Sequence, residues 1–348
     1  MVDLIATEAV GEQAGCRRGG GASTLRYVAV KVGGALISLA LVVILGFFLF
    51  RVLPGDPAVT MTRDRPVSGE QLDQLRHNLG VDRPLPVQFG RYLLDLLHGD
   101  FGTSYEFKRP VADMIGGALW PTLLLTGTAT LISVAIGLWL GTRAAWRHGS
   151  RFDRAATGVA LVLWSAPTFW LGLIVLMVFA AGIGPIPGLF PTAGMRSVSG
   201  WEGFFPHAVD VAHHLVLPCL TLVAVIYAQY LMVMRASLLE EMNADYLTTA
   251  RAKGLRDEVV RRRHAVPNAM LPTVTLIFLN LGFVVSGAVT VERVFTWPGL
   301  GLLTWQALGV PDLPLLQGTL IVLAGSVIVM NLFADLLYRV LDPRVRTS

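Results

Sequence analysis

Few side chains in this chain are placed to do bond chemistry. There is no GxxxxGK[ST] stretch, so the chain cannot cradle nucleotide phosphates in that way. The long apolar runs carry no carboxylate or lysine in their middles, and Asp335 lies only at the end of the last one. Ion-coupled carriers and intramembrane hydrolases need ionisable groups at membrane depth, so both are disfavoured. His207, His213 and His214 invite a metal reading. We prefer a histidine at the wet end of a span, and expect no metal or catalytic site. That leaves two amides, Gln229 and Asn280, each near the middle of its apolar run. A buried amide is costly unless bonded, so each must face another helix or a water-filled path. Tyr227 and Tyr230 can share that path. Packing between helices would satisfy either amide alone.

The elements that must position these groups are membrane spans. The 348 residues are 53% hydrophobic and 15% charged. Apolar runs of about twenty residues recur, which no soluble domain needs. Six spans are expected, at about 32–50, 119–140, 155–183, 215–234, 270–291 and 315–334, giving an all-α polytopic membrane protein. Gly137 and Gly141 are four apart and allow close helix contact. Threonines of the second span can bond back to their own helix. Pro167 gives the third span room to kink. The formal charge of +4 is clustered by loop, which fits membrane topology better than nucleic acid.

Residues 1–24 are polar and glycine-rich and read as a disordered tail; the tail 1–31 leads into the first span. Ala14-Gly15-Cys16 is like a lipoprotein cleavage site, but no apolar segment precedes it. A disulfide between Cys16 and Cys219, one in the tail and one in a span, is not expected. The region 51–118 opens on the rigid turn Pro54-Gly55-Asp56-Pro57. Ser68 and Gln71 have the spacing of a capping box for a helix over 68–78. Residues 88–97 read as an amphipathic helix with Phe89, Tyr92, Leu93, Leu96 and Leu97 on one side. Its expected role is to pack over the outer mouth.

Charge orients the bundle. Loops 143–154 and 235–264 hold four and seven Lys or Arg, whereas 184–214 and 292–314 hold one each, Arg196 and Arg293. Basic short loops stay cytoplasmic, so both termini, including the tail 339–348, are expected inside. The eight basic residues between Arg51 and Arg109 sit in a loop long enough to escape the rule.

One basic loop has more pattern than topology requires. Asp245 or Asn243 can cap a short helix. Tyr246, Leu247 and Ala250 give it an apolar face, and Arg251 and Lys253 suit its C-terminal dipole. Gly254 should end it at positive φ. Asp257 opens a second helix with Arg261, Arg262 and Arg263, and Pro267 marks a change of direction.

Thr248-Thr249-Ala250-x-x-x-Gly254, with Pro267 thirteen residues on, resembles the EAA loop of ABC importer permeases. Ala250-Arg251-Ala252-Lys253-Gly254-Leu255 and the run from Arg263 to Pro272 are similar to the dipeptide, oligopeptide and nickel branch. So are Pro54 to Pro57, the loop Gly99 to Ser104, and His214 to Pro218. Thr248 and Thr249 stand where the family has Glu and Ala, so the contact made by that Glu is not carried over. The resemblance covers nearly the whole chain after residue 25. It implies a type I ABC importer permease fold with a core at 119–338 and a coupling loop at 243–267. It implies alternating access, with peptides as cargo, or nickel or another small solute. It implies no cofactor on this chain, with ATP and Mg on partners. Those partners are a second permease, two cytoplasmic ATPases and an extracytoplasmic binding protein, assembled in the inner membrane lipid of a prokaryote. Glu292, Trp297, Pro298 and Gly299 resemble the outer loop after the fifth span and would shape an outer gate. Trp297 as a plain interface anchor is the simpler reading. A carrier or channel working without ATPases, or a membrane scaffold protein, is the reading from another class.

Overall fold

The computed structural model describes residues 20–52, 58–59, 62, 68–79, 82–183, 186–197, 203–286, 289–310 and 312–341. The Pro54–Pro57 turn and Cys16 lie outside them. Helix α1 runs Gly20–Val52, so the helix begins twelve residues before the expected span. Helices α2 (Gly69–Leu79) and α3 (Leu85–Leu97) follow. The Ser68 N–H donates to Gln71 Oε1 at 3.0 Å and the Gln71 N–H to Ser68 Oγ at 3.3 Å, which is the expected capping box. Helix α3 lays Phe89 and Tyr92 against Phe47 of α1, ring centroids 5.1 and 5.5 Å apart. Leu97 departs from the expected apolar side and stands 82% exposed.

Helix α4 (Val111–Trp146) is the second span. Helices α5 (Arg151–Ser165) and α6 (Thr168–Leu176) form the third, bent by 101° between them. The cause is local. A residue before proline is driven out of the α region, and Ala166 takes ψ 135° ahead of Pro167. A π-turn (Met177–Ala181) and a two-residue hairpin, β1 (Gly182–Ile183) with β2 (Ile186–Pro187), close that arm. Helix α7 (Phe204–Glu241) is the fourth span. Helix α8 (Asp245–Ala252) is followed by α9 (Asp257–Val260), a π-turn (Arg261–Ala265) and α10 (Val266–Ser286). Short helix α11 (Val289–Val294) runs from the expected end of the fifth span into the loop read at 292–314, α12 (Leu300–Gly309) lies within that loop, and α13 (Leu313–Leu341) is the last span.

Among the described residues, four helices are long and apolar enough to cross a membrane, and the bent pair α5–α6 brings the number to five if it is counted as one span. The fifth expected span falls on α10, whose 21 residues reach about 31 Å at 1.5 Å per residue. The most extensive helix contact is α4 on α7. A Cβ on Gly137 would lie 2.6 Å from Tyr230 Cβ, and one on Gly141 would lie 2.7 Å from the Leu231 carbonyl oxygen. The glycine pair therefore brings two backbones together, as its spacing suggested. Thr126 and Thr128 bond back to Thr122 and Leu124 carbonyls. Lys31 meets Asp335 at 2.9 Å, joining the first span to the last.

Candidate functional site

At one end of the bundle, the loop between α7 and α10 folds as a helical hairpin. Leu247 and Ala250 of α8 turn inward, onto Met234 and Leu238 of α7, Ala145 of α4, and Val260, Ala265 and Ala269. Asp245, Thr248, Thr249, Arg251, Ala252, Lys253, Gly254 and Leu255 stand outward and exposed. Asp245 is not the cap. Ala244 holds that position without a side-chain bond, and Asn243 Nδ2 donates to the Leu239 carbonyl instead. Asp245 keeps a favourable place in the first turn, where a negative charge suits the dipole. Tyr246 leaves the apolar face. Its hydroxyl donates to Glu241 and accepts from Asn268 Nδ2 at 2.9 Å. Burial, and then the Glu241 carboxylate, push this phenol up from its usual pKa.

Gly254 has φ +81°, and its N–H reaches the Arg251 carbonyl while the Leu255 N–H reaches that of Ala250. This is the glycine-terminated helix end that the sequence implied. Asp257 is gripped by Trp146 Nε1 at 2.9 Å and by Arg251 Nε at 3.4 Å. Pro267 makes no turn. It is the second residue of α10, inside a run that stays helical from Asp257 to Ser286. A proline in a helix loses a hydrogen bond and crowds the carbonyl four residues back, here that of Arg263. The wider π-turn contains that carbonyl.

In the middle of the bundle, Asn280 Nδ2 donates to the Tyr230 hydroxyl at 3.2 Å, tying α10 to α7. Tyr230 is fully buried and Gln229 half-buried. Tyr227 sits apart from them, packed with Ala160, Ala228 and Leu231 between α5 and α7. His214 is buried rather than interfacial, with Nδ1 on the Asp210 carbonyl at 2.8 Å.

At the opposite end, Glu292 of α11 is fully buried. Its Oε1 accepts from the Thr122 hydroxyl at 2.8 Å, and its Oε2 from the Leu302 N–H at 3.0 Å. Thr122 Oγ1 in turn accepts from the Leu300 N–H at 2.8 Å. Together they satisfy the free amides that begin α12, and the carboxylate lies where the helix dipole favours it. Gly299 has extended backbone that any residue adopts, yet a Cβ there would be 2.4 Å from the Glu292 carboxyl. Its requirement is space. Trp297 is not an interface anchor. It is fully buried and donates Nε1 to the Pro121 carbonyl at 2.8 Å. Thr296 before it is held at φ +51°, a strained place for a β-branched residue, and Pro298 links it to Gly299.

Two polar clusters escaped the sequence. Arg235 of α7 makes a two-pronged bond to Asp153, next to a Ser150 side chain that caps α5. Asp312 accepts from the Ser104 hydroxyl and, at 3.2 Å, from the Glu106 N–H, so it fastens the 99–110 loop to the start of α13. Each joins residues far apart in the chain, and no local pattern announces such a pair.

Residues 133–347 match the family described as binding-protein-dependent transport system inner membrane component, and residues 24–126 match its N-terminal region. The dipeptide transport system permease protein DppB of Escherichia coli (strain K12) is 34% identical over 338 residues, 92% of this chain and 99% of that protein. The glutathione transport system permease protein GsiC of Salmonella paratyphi A is 36% identical over 328 residues, 92% of this chain and 99% of that protein. A chain of the MetNI methionine ABC transporter, solved in inward-facing conformations, aligns with TM-score 0.49 and 16% identity, covering 66% of this chain and 96% of that one. The chain belongs to the family of binding-protein-dependent transport system inner membrane components.

Proposed function

We propose that this chain is the permease subunit of an ATP-driven importer for di- or oligopeptides, and that it works by alternating access. It pairs with a second, related permease. Two cytoplasmic ATPases bind ATP and Mg, and an extracytoplasmic binding protein delivers the peptide. Support for the cargo comes from relatives named for dipeptide and glutathione transport, which align over nearly their whole length.

The observation that carries the coupling role is the two-sided build of α8. Its inner side, Leu247 and Ala250, is part of the chain's own core, so a push on its outer side is delivered to α4, α7 and α10. The outer side, from Asp245 through Arg251, Lys253 and Leu255, is free to enter a cleft on an ATPase. The end carrying α8 is cytoplasmic in this reading, as are both termini, and 51–118 is extracytoplasmic. Gln229, Tyr230 and Asn280 border the path, and Tyr227 supports it from the core. Glu292, Trp297, Pro298 and Gly299 form the outer gate, built as a rigid corner on Pro121 and Thr122.

The test is reconstitution. Proteoliposomes holding this chain, its partner permease and the ATPases, with binding protein outside, should accumulate a labelled dipeptide only with ATP inside. Uptake by this chain alone, without ATPases, would refute the importer reading in favour of a carrier.

A further inference from the structure

A second site is built partly from the coupling loop itself, whose Arg261 and Arg262 have no role in the reading above. The last turns of α4 and the π-turn before α10 border an open cavity of about 440 Å³, lined by Leu138, Trp139, Thr142, Arg143, Arg261 and Arg262 among others. Three arginines from two elements, Arg143, Arg261 and Arg262, border it, and no carboxylate lines it. Glu258 engages Arg261 at 3.2 Å. Among the described residues, Arg143 and Arg262 form no ion pair. Arg143 is instead positioned over Trp139 and Phe152, 5.7 and 5.5 Å from the ring centroids. A stacked guanidinium keeps its charge and is held in place.

The cavity also has an apolar approach. Residues 131, 135, 138 and 142 share one face of α4, because positions three and four apart align on a helix. Leu131 is 72% exposed, and Trp139 beside that row is 59% exposed. The stripe leads from the arginines toward the middle of the span. A ligand that matches both halves carries negative charge at one end and hydrocarbon at the other. Basic pockets between spans at the cytoplasmic side suit anionic lipid headgroups.

We propose that this cavity holds the phosphate headgroup of an anionic phospholipid from the cytoplasmic leaflet, with an acyl chain along the exposed stripe of α4. The proposal rests on the importer reading only for placing this end of the bundle at the cytoplasmic surface. A free phosphate would satisfy the arginines and leave the stripe bare. A flanking subunit is the other occupant, and the test separates it.

The full chain is purified in mild detergent, alone and with the subunits that accompany it. It is titrated with phosphatidylglycerol or phosphatidylcholine of the same acyl chains, and bound lipid is counted by native mass spectrometry. Phosphatidylglycerol should be retained selectively, in the chain alone and in the assembly, and inorganic phosphate should not displace it. Arg143→Gln and Arg262→Gln should each weaken retention about fivefold, the factor expected for one basic residue at an anionic surface. Lysine at both positions should restore most of it. Equal retention of the two lipids, displacement by phosphate, or full retention by the double glutamine variant overturns the proposal. Lipid bound to the chain alone but expelled from the assembly assigns the groove to a subunit contact and overturns it too. The comparison of the two lipids on the unaltered chain decides the matter even if a variant fails to fold. No ATP or transport enters the measurement, so its failure leaves the importer reading standing, and the reverse.

Discussion

Asp153 and Arg235, separated by 82 positions in sequence, meet through two bonds of 2.6 and 2.9 Å, with the carboxylate almost wholly shielded from solvent. The pair locks the turn between α4 and α5 onto the end of α7. The Gly149 N–H and the Ser150 cap complete the site. Breaking a buried pair strands a charge, which costs about 3–5 kcal/mol. Asp153→Ala should therefore lower the thermal midpoint of the detergent-solubilised chain sharply. Asp153→Ala combined with Arg235→Met should recover part of the loss, because the stranded charge is removed with its partner. A double variant no better than the single one would show that the bond, rather than the charge, carries the effect.

Gly254 and Gly299 are expected to fail in different ways when replaced. A Cβ on Gly254 meets nothing within 4 Å, so only its φ of +81° resists substitution. Gly254→Asn should be tolerated, since asparagine visits the left-handed region, whereas Gly254→Val should not. The readout is uptake together with ATPase recovered on the purified permease. We expect Gly254→Val to insert normally and to lose one or both. Normal values for both would remove Gly254 from the coupling role.

At Gly299 the order reverses. The backbone is permissive and the space is absent, so even Gly299→Ala must displace the Glu292 carboxyl. Overpacking of this kind costs about 1–3 kcal/mol. The variant should unfold earlier, and Glu292→Gln, which keeps an acceptor for Thr122, should be milder than Glu292→Leu. Thermal scans of the three variants in detergent check the order.

Asn280→Leu removes the bond to Tyr230, and Gln229→Leu removes a neighbouring amide. If these groups border the path, the double variant should transport poorly while assembling and binding ATP normally. Normal transport would make both of them packing residues.

Topology has a direct test. Ser68 and Thr249 are both exposed, so a cysteine at either should be reachable by a membrane-impermeant maleimide. Labelling from opposite sides of an intact membrane is expected. Labelling from the same side would overturn the orientation drawn from charge.

What the sequence made readable was local. The Ser68–Gln71 box, the Gly137–Gly141 approach, the bend at Pro167 and the left-handed Gly254 each follow from a few neighbouring residues and the geometry they allow. What it hid was pairing at a distance. Trp297 read as an interface anchor because its hydrogen-bond partner, the Pro121 carbonyl, lies 176 residues away. Glu292 resembled part of a loop, and only the fold reveals Thr122 and the amides of α12 around its carboxyl. The cap was misplaced by one residue because Asp245 suits the first turn almost as well as the cap itself.

The π-turn at Arg261–Ala265 makes the coupling hairpin and the fifth span a matter of angular phase. Each residue of an α-helix advances the side-chain direction by about 100°. Removing one residue from this turn would let the ladder close as ordinary α-helix and turn every position beyond it by that angle relative to α9. Asn280 would swing away from Tyr230, while α8 and its exposed face stayed as they are. The turn thus acts as a clocking joint, and its residue count fixes which side of the fifth span looks toward α7.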